Sequence, residues 1–171
     1  MIIPFKISQL EVRHTKVKYI IIHHTACQYT NPDTKVDNMK FQMTGISSGV
    51  LEKKEPDINY HYIIDKIKED FHVISCRPFV TLCDFPDINQ DMNRKSIHVA
   101  MMGSYDFKIP HKRLIEVLAY RLLNPFLKIY SINPERILFH SDVSNNKDET
   151  CPGLFADKTI ITSMTRRFLL K

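Results

Sequence analysis

The feature that most constrains the fold is a short apolar run that ends in two histidines. Residues 19–24 read YIIIHH, so three consecutive isoleucines follow a tyrosine and precede His23 and His24. A β-branched run of this length predicts a buried strand. The end of a strand can hold side chains rigidly towards a site, so the two histidines are candidates for a functional role.

The rest of the chain predicts strands that alternate with helices. Further strands are predicted at 60–65, 70–78, 96–103 and 136–139, with the first two forming a hairpin. Helices are predicted at 34–46, from Pro110 onward and at 156–170. Pro125 is expected to end or kink the second helix, and residues 79–95 are expected to be irregular. Together these elements predict an α/β domain with a mixed central β-sheet flanked by helices.

Length, charge and cysteine content limit the class of protein further. The 171 residues suit a single domain, 1–171, and the net charge of +5 is scattered along the chain rather than massed in one block. No apolar run is long enough to span a bilayer, so no membrane insertion is expected. The N-terminus lacks a basic start followed by an apolar core, so we expect no secretory signal and synthesis in the reducing cytoplasm. Cys27, Cys76 and Cys83 are interpreted as buried thiols.

Three residues together offer the ligands that zinc prefers. His23 and His140 each end a predicted strand, and Cys151 follows in the loop after His140. Two imidazoles and a thiolate suit zinc, and three protein ligands leave a position open for a water that becomes acidic enough to attack a carbonyl. Neighbouring strand residues face opposite sides, so His23 and His24 cannot easily reach the same metal, and alternation does not say which does. Packed, hydrogen-bonded histidines are the alternative interpretation.

Four short blocks then resemble a known family. The segments IIIHHTA, NYHYIID, NRKSIHVAMMG and FHSDV…TCPGLF occur in the order seen in the type 2, zinc-dependent N-acetylmuramoyl-L-alanine amidases. That family includes phage amidase-type lysozymes and animal peptidoglycan recognition proteins, and the resemblance runs from about residue 18 to 156. It implies a mixed sheet flanked by helices, one zinc in a surface groove, and hydrolysis of the amide between muramic acid and L-alanine.

The resemblance also implies roles for single residues. His23 matches the first histidine of the HHTA block, which is a metal ligand in the family, while His140 and Cys151 match the other two ligands. Tyr60 matches the tyrosine that borders the zinc and helps to polarise the scissile carbonyl. A nearby phenol or carboxyl can donate to the developing oxyanion or carry the proton.

Two positions depart from the family pattern. Glu149 stands two residues before the ligand cysteine, where phage relatives often carry lysine and animal relatives threonine. It could act as a general base, or it could be an exposed loop residue. His98 replaces the glycine of the SIG block. It could stand in for a groove histidine that is missing from the segment before it, although we expect a strand residue that faces the opposite side.

Two other polar residues have simpler interpretations. Asp142 could orient His140 from a second layer around the metal, or it could cap its loop. His61 should point away from Tyr60 by strand alternation and is interpreted as structural.

The sequence therefore predicts a zinc hydrolase that acts on bacterial peptidoglycan. A single-domain phage endolysin fits best: a bacteriolytic, monomeric enzyme that stays in the cytoplasm until release and then degrades the cell wall. The alternative is a catalytically weak or inactive module of the same fold that binds muropeptides or regulates a partner. Binding of nucleic acid is not favoured, because the basic residues form no stripe with interleaved aromatic residues.

Overall fold

A computed structural model describes residues 11–26 and 58–169 of the chain. The predicted helix at 34–46 and Cys27 lie outside these residues. That residues 1–171 form one domain stays a prediction. Within the described ranges, no helix is both long and apolar enough to cross a membrane.

The centre of the fold is a five-stranded mixed sheet. Its strands are β1 (Tyr19–His24), β2 (Tyr62–Ile67), β3 (Asp70–Ser75), β4 (Ser96–Met101) and β5 (Ile137–Phe139). They lie in the order β3-β2-β4-β1-β5, with β2 and β3 antiparallel and the other neighbours parallel. The predicted hairpin and the predicted strands at 19–24, 96–103 and 136–139 are confirmed, with ends shifted by a few residues.

Helices surround the sheet. They are α1 (Gln90–Arg94), α2 (Lys112–Val117), a π-helical turn (Leu118–Leu123), α3 (Asn124–Tyr130), a 3₁₀ turn (Pro134–Arg136), α4 (His140–Val143) and α5 (Lys158–Leu169). The predicted α/β class is confirmed. The expectation that 79–95 is wholly irregular is wrong, because the side chain of Asn89 accepts a hydrogen bond from the Asp91 N–H and begins a short helix there.

The long helix does not end at Pro125, and it continues through α3. The turn before this proline is π-helical, and the Asn124 N–H bonds to the carbonyl of Ala119, five residues back. Proline in a regular helix crowds the carbonyl four residues earlier, and the wider turn avoids this conflict. The helix ends instead at Ser131, which has a φ of 52° and therefore cannot continue it.

The two faces of the sheet carry different cores. One face packs against α2, the π-helical turn and α5. The sheet contributes Ile20, Ile22, Ile97 and Val99 to this core, and the π-helical turn contributes Leu118, all of them fully buried. The opposite face carries a smaller cluster: Ile58, Tyr60, Ile63, Cys76, Ala100 and Met102. The residues next to His23 and His98 in sequence either belong to the other core or end the strand. Because side chains alternate along a strand, His23 and His98 lie on the face of the smaller cluster. The site is built on this side.

Candidate metal centre

The fold brings His23, His140 and Cys151 together. β1 and β5 are parallel neighbours, with Ile22 opposite Phe139, so both strands end at the same edge of the sheet. His23 lies at the end of β1, and His140 begins α4 immediately after β5. One ligand atom from each of the three side chains lies within 4.8 Å of the others, and all three residues are buried. His140 was expected to enter a loop, whereas it begins a short helix.

Backbone contacts hold Cys151 against the two strands. The Ser141 N–H donates to the carbonyl of Cys151 at 2.9 Å, which ties the cysteine loop to α4. The Cys151 sulfur accepts a hydrogen bond from the His24 N–H at 3.2 Å and lies 3.9 Å from His23 Nδ1. Gly153 has a φ of +113°, and a Cβ there would come within 2.3 Å of the Tyr105 carbonyl carbon, so the turn after the cysteine requires glycine.

His23, rather than His24, points into the centre. Its ring faces His140, with ring centroids 4.6 Å apart. The His24 ring points to the other side of the strand, where its Nδ1 accepts a hydrogen bond from the Tyr105 N–H at 3.4 Å. This placement agrees with the alternation argument. The roles of His23, His140 and Cys151 as metal ligands stay a prediction.

Burial shifts the pKa values of His23 and Cys151. Burial lowers the pKa of His23 well below its usual range, and the neighbouring histidines lower it further, so the imidazole is neutral and can donate a lone pair. Burial, with nearby carboxylates, raises the pKa of the Cys151 thiol to about 12, while the hydrogen bond from the His24 backbone opposes that rise. A divalent cation would reverse the balance and deprotonate the thiol. The set of two imidazoles and a thiol is one that zinc prefers.

His140 lies at the outer rim of the centre, between two carboxylates. Its Nε2 is 2.8 Å from Asp87 Oδ2, although the two groups are not aligned as a hydrogen bond. Its Nδ1 is 4.0 Å from Glu149 Oε2. Asp87 is itself held by the Ser144 hydroxyl, which donates to Oδ2 at 2.6 Å. No pattern in the sequence selects Asp87, since it is one acidic residue in a polar connection.

The two residues expected to assist the reaction lie on either side of the centre. Glu149 accepts a hydrogen bond from the Cys151 N–H at 2.8 Å, and its side chain is 24% exposed. The Tyr60 ring lies 5.3 Å from the His23 ring, and its hydroxyl donates to the His24 carbonyl at 3.4 Å. Each is therefore next to a proposed ligand, and their catalytic roles stay predictions.

The expectation that His98 faces away from the site is wrong. β4 runs beside β1 with Ile21 opposite His98, so the side chains of these two residues share a face, which is also the face of His23. His98 Nδ1 lies 2.9 Å from His23 Nε2. It cannot line a substrate groove either, because it is fully buried.

The contacts and burial of Asp142, His61, Cys76 and Cys83 bear on the roles expected for them. Asp142 caps its segment: its carboxylate accepts from the Phe139 N–H and from Lys158 Nζ, each at 2.6 Å. His61 is fully buried and bonds to the backbone, as expected of a structural histidine. Cys76 and Cys83 are buried thiols, as predicted.

Comparison with known proteins gives the family and the fold. A family model described as N-acetylmuramoyl-L-alanine amidase matches residues 13–154. A comparison with curated protein sequences finds no match. Among solved structures, the endolysin amidase LysCS from Clostridium intestinale URNW is 18% identical, with a TM-score of 0.66 and coverage of 92% of this chain and 88% of that chain.

Two further structures come from a phage and from an animal. The endolysin of a Thermus scotoductus bacteriophage is 20% identical, with a TM-score of 0.62 and coverage of 91% of this chain and 89% of that one. A Drosophila PGRP-LB mutant in complex with tracheal cytotoxin is 20% identical, with a TM-score of 0.65 and coverage of 88% and 83%. At these identities the structures show a shared fold. The family model spans most of the sequence, and the chain therefore belongs to the N-acetylmuramoyl-L-alanine amidase family.

Proposed function

We propose that this protein is a zinc-dependent hydrolase that cleaves the amide between N-acetylmuramic acid and L-alanine in peptidoglycan. The observation that carries the proposal is the buried meeting of His23, His140 and Cys151 at the edge of the sheet, with ligand atoms within 4.8 Å of one another. Membership of the amidase family supplies the bond and the substrate class.

His23, His140 and Cys151 would hold the metal. Zinc in such a site supplies a Lewis acid for the carbonyl and makes water acidic enough to attack at neutral pH. The neutral His23 ring is ready to bind without first losing a proton, because burial keeps its pKa low. The hydrogen bond from the His24 N–H to the Cys151 sulfur stabilises the thiolate that a metal requires.

Tyr60 and Glu149 would provide the proton and charge handling. The Tyr60 ring lies 5.3 Å from the His23 ring, and its hydroxyl would turn from the His24 carbonyl to donate to an oxyanion that develops beside the metal. The Glu149 carboxylate has Oε1 fixed by the Cys151 N–H, which leaves Oε2 on the His140 side to accept a proton from water.

We further propose that the chain works as an endolysin, made in the cytoplasm and acting on the wall after release. Support comes from the named endolysins among the similar structures. A second candidate is a module that binds muropeptides without cleaving them. One observation favours it: a similar structure is a Drosophila PGRP-LB mutant in complex with tracheal cytotoxin.

Digestion of purified peptidoglycan tests the proposal. The protein is incubated with the substrate alone, with a chelator, and with a chelator followed by added zinc, and the products are identified by mass spectrometry. We expect free stem peptides that begin with L-alanine, lost with the chelator and restored by zinc. Cleavage that survives complete metal removal would contradict the zinc dependence, and no cleavage by folded, zinc-loaded protein would favour the binding module.

A further inference from the structure

His98 is a fully buried histidine that contacts no solvent and lines no groove. Its ring lies beside His23, with Nδ1 2.9 Å from His23 Nε2. The Phe85 ring stacks on both imidazoles, at centroid distances of 4.4 Å from His23 and 4.7 Å from His98. The two rings are therefore held in one layer by a common neighbour.

The register of the sheet makes room for this contact. Ala100 lies opposite His23 on the neighbouring strand, and His98 lies two residues before it on the same face. The small side chain opposite His23 leaves space into which the diagonal neighbour can reach. A larger residue at 100 would fill the space where the two imidazoles meet.

A third histidine fixes the backbone of His98. His61 Nδ1 accepts a hydrogen bond from the His98 N–H at 3.0 Å, so a neutral His61 ring carries its proton on Nε2. That Nε2–H donates to the carbonyl of Thr81 at 3.0 Å, and Arg13 Nη2 lies 3.1 Å from the same Nε2. The strand position from which the His98 ring extends is thereby defined.

The short contact between His98 and His23 contains one hydrogen. It is carried either by His23 Nε2 or by His98 Nδ1, because a hydrogen bond between two ring nitrogens needs one donor and one acceptor. Only the first arrangement leaves the lone pair of His23 Nδ1 free, and Nδ1 is the atom that lies 3.9 Å from the Cys151 sulfur. Binding of a metal between these atoms therefore requires His98 Nδ1 to be the acceptor.

Among residues 11–26 and 58–169, the buried Nε2 of His98 finds no hydrogen-bond partner. An unsatisfied buried nitrogen destabilises a core, and an apolar residue of similar size would avoid that cost. Within the part of the chain that the structure describes, the His98 ring makes one side-chain hydrogen bond, and its partner is a proposed metal ligand. Packing alone does not account for a histidine at this position.

We propose that His98 is a positioning residue for the metal centre: its Nδ1 accepts a hydrogen bond from His23 Nε2–H and selects the ring orientation and tautomer in which His23 Nδ1 faces Cys151. The inference rests on the proposed zinc site and concerns how that site is built. Partners that orient a ligand histidine in this way are known to affect metal affinity strongly.

A set of substitutions at this one position separates the hydrogen bond from packing. His98→Asn keeps an acceptor near the position of Nδ1, and His98→Leu has a similar shape without an acceptor. Zinc affinity of the full chain is measured by competition with a chromophoric chelator, and apo-protein thermal unfolding is recorded for each variant. We expect His98→Leu to bind zinc about 10- to 100-fold more weakly and His98→Asn to stay within a few-fold of the wild type.

A spectroscopic measurement tests the tautomer directly. Long-range ¹H–¹⁵N spectra of the zinc-loaded wild type should show His23 with a protonated Nε2 and a metal-bound Nδ1. A His23 ring bound through Nε2 would overturn the inference, because that atom could not then donate to His98.

The outcomes distinguish this inference from the proposed function. If the wild type binds no zinc, both fail. If the wild type binds zinc and a folded His98→Leu protein binds it equally well, only the role of His98 is wrong. If His98→Leu does not fold, His98→Asn is compared with His98→Gln, whose amide reaches past the position of Nδ1. The role of His98 requires tighter zinc binding by the asparagine variant, and equal affinities would contradict it.

Discussion

The two histidines of the candidate centre have opposite surroundings. His23 is 1% exposed, and besides the His140 ring its ring neighbours are His98, Phe85 and Tyr60, none of which is a carboxylate. His140 lies at the rim, between the carboxylates of Asp87 and Glu149. We call these the interior side and the rim side of the centre.

This difference follows from the energetics of burial. Side chains are held most rigidly where packing excludes water. Ionised groups are costly to bury there, so the interior side contains only neutral rings. Carboxylates that exchange protons need partial contact with water, and they lie on the rim side. The interior side is thus suited to positioning a ligand, and the rim side to charge and proton transfer.

Cys151 joins the two sides, and its replacement should have the largest effect. Cys151→Ser removes the one soft ligand, so we expect zinc affinity to fall by more than the roughly 100-fold that loss of an outer partner can cause. Amidase activity should fall with it. The measurement is zinc content and affinity of the folded variant, with Cys76→Ser, a buried thiol elsewhere, as the matched control. Full zinc occupancy in Cys151→Ser would show that the ligand set is wrong.

Tyr60 tests whether the interior side also takes part in the chemistry. Tyr60→Phe removes only the hydroxyl beside the His23 ring, so we expect kcat to fall by about 100- to 1,000-fold, as for loss of an oxyanion donor. Zinc affinity should stay near that of the wild type. Tyr62→Phe serves as the control, because Tyr62 is the first residue of β2 and packs against the other core. A kcat equal to that of the wild type would exclude a catalytic role for the phenol.

Glu149 tests the rim side in the same way. Glu149→Gln keeps the acceptor for the Cys151 N–H but removes the charge, so we expect kcat to fall by about 100-fold, within the range for loss of a general base. Steady-state kinetics on a soluble muropeptide would measure it. Asp148→Asn changes an exposed carboxylate on the same loop and should have little effect. Equal kinetics in both variants would support the interpretation of Glu149 as a loop residue.

The next prediction concerns folding stability rather than activity, and it follows from the cost of burying a neutral imidazole next to the interior side. Burial lowers the pKa of His61 from 6.5 to about 3, so between these values the unfolded chain holds a proton that the folded chain does not. Stability is therefore full above pH 6.5 and is lost as pH falls towards 3, by roughly 1.4 kcal/mol per pH unit for this group. Urea unfolding of metal-free protein at several pH values measures the slope.

The control for this pH effect is a pair of histidine variants. His61→Asn retains an acceptor for the His98 N–H and should reduce the slope by about one proton. His72→Asn, which changes an exposed side chain, is the matched control. Equal slopes in the two variants would show that His61 does not contribute to the acid sensitivity.

The sequence was informative where a feature is local. The run of isoleucines before His23 predicts a buried strand, and the meeting of His23, His140 and Cys151 follows once two strands are parallel neighbours. The contact between His98 and His23 depends on the register between β1 and β4, which no local pattern reports. Asp87 was missed for a similar reason, since its proximity to His140 arises only when a polar connection folds back over the sheet edge. Pro125 was expected to end or kink the helix, and it does not end it because a preceding π-helical turn removes the usual conflict.

X-ray absorption at the zinc edge of the loaded protein tests most directly whether the two sides share one metal. We expect one sulfur ligand at about 2.3 Å and two imidazole nitrogens at about 2.0–2.1 Å, with a light atom completing the set. The Cys151→Ser protein should lose the sulfur signal. A spectrum of the wild type with no sulfur, or with only one imidazole, would contradict a centre built jointly by His23, His140 and Cys151.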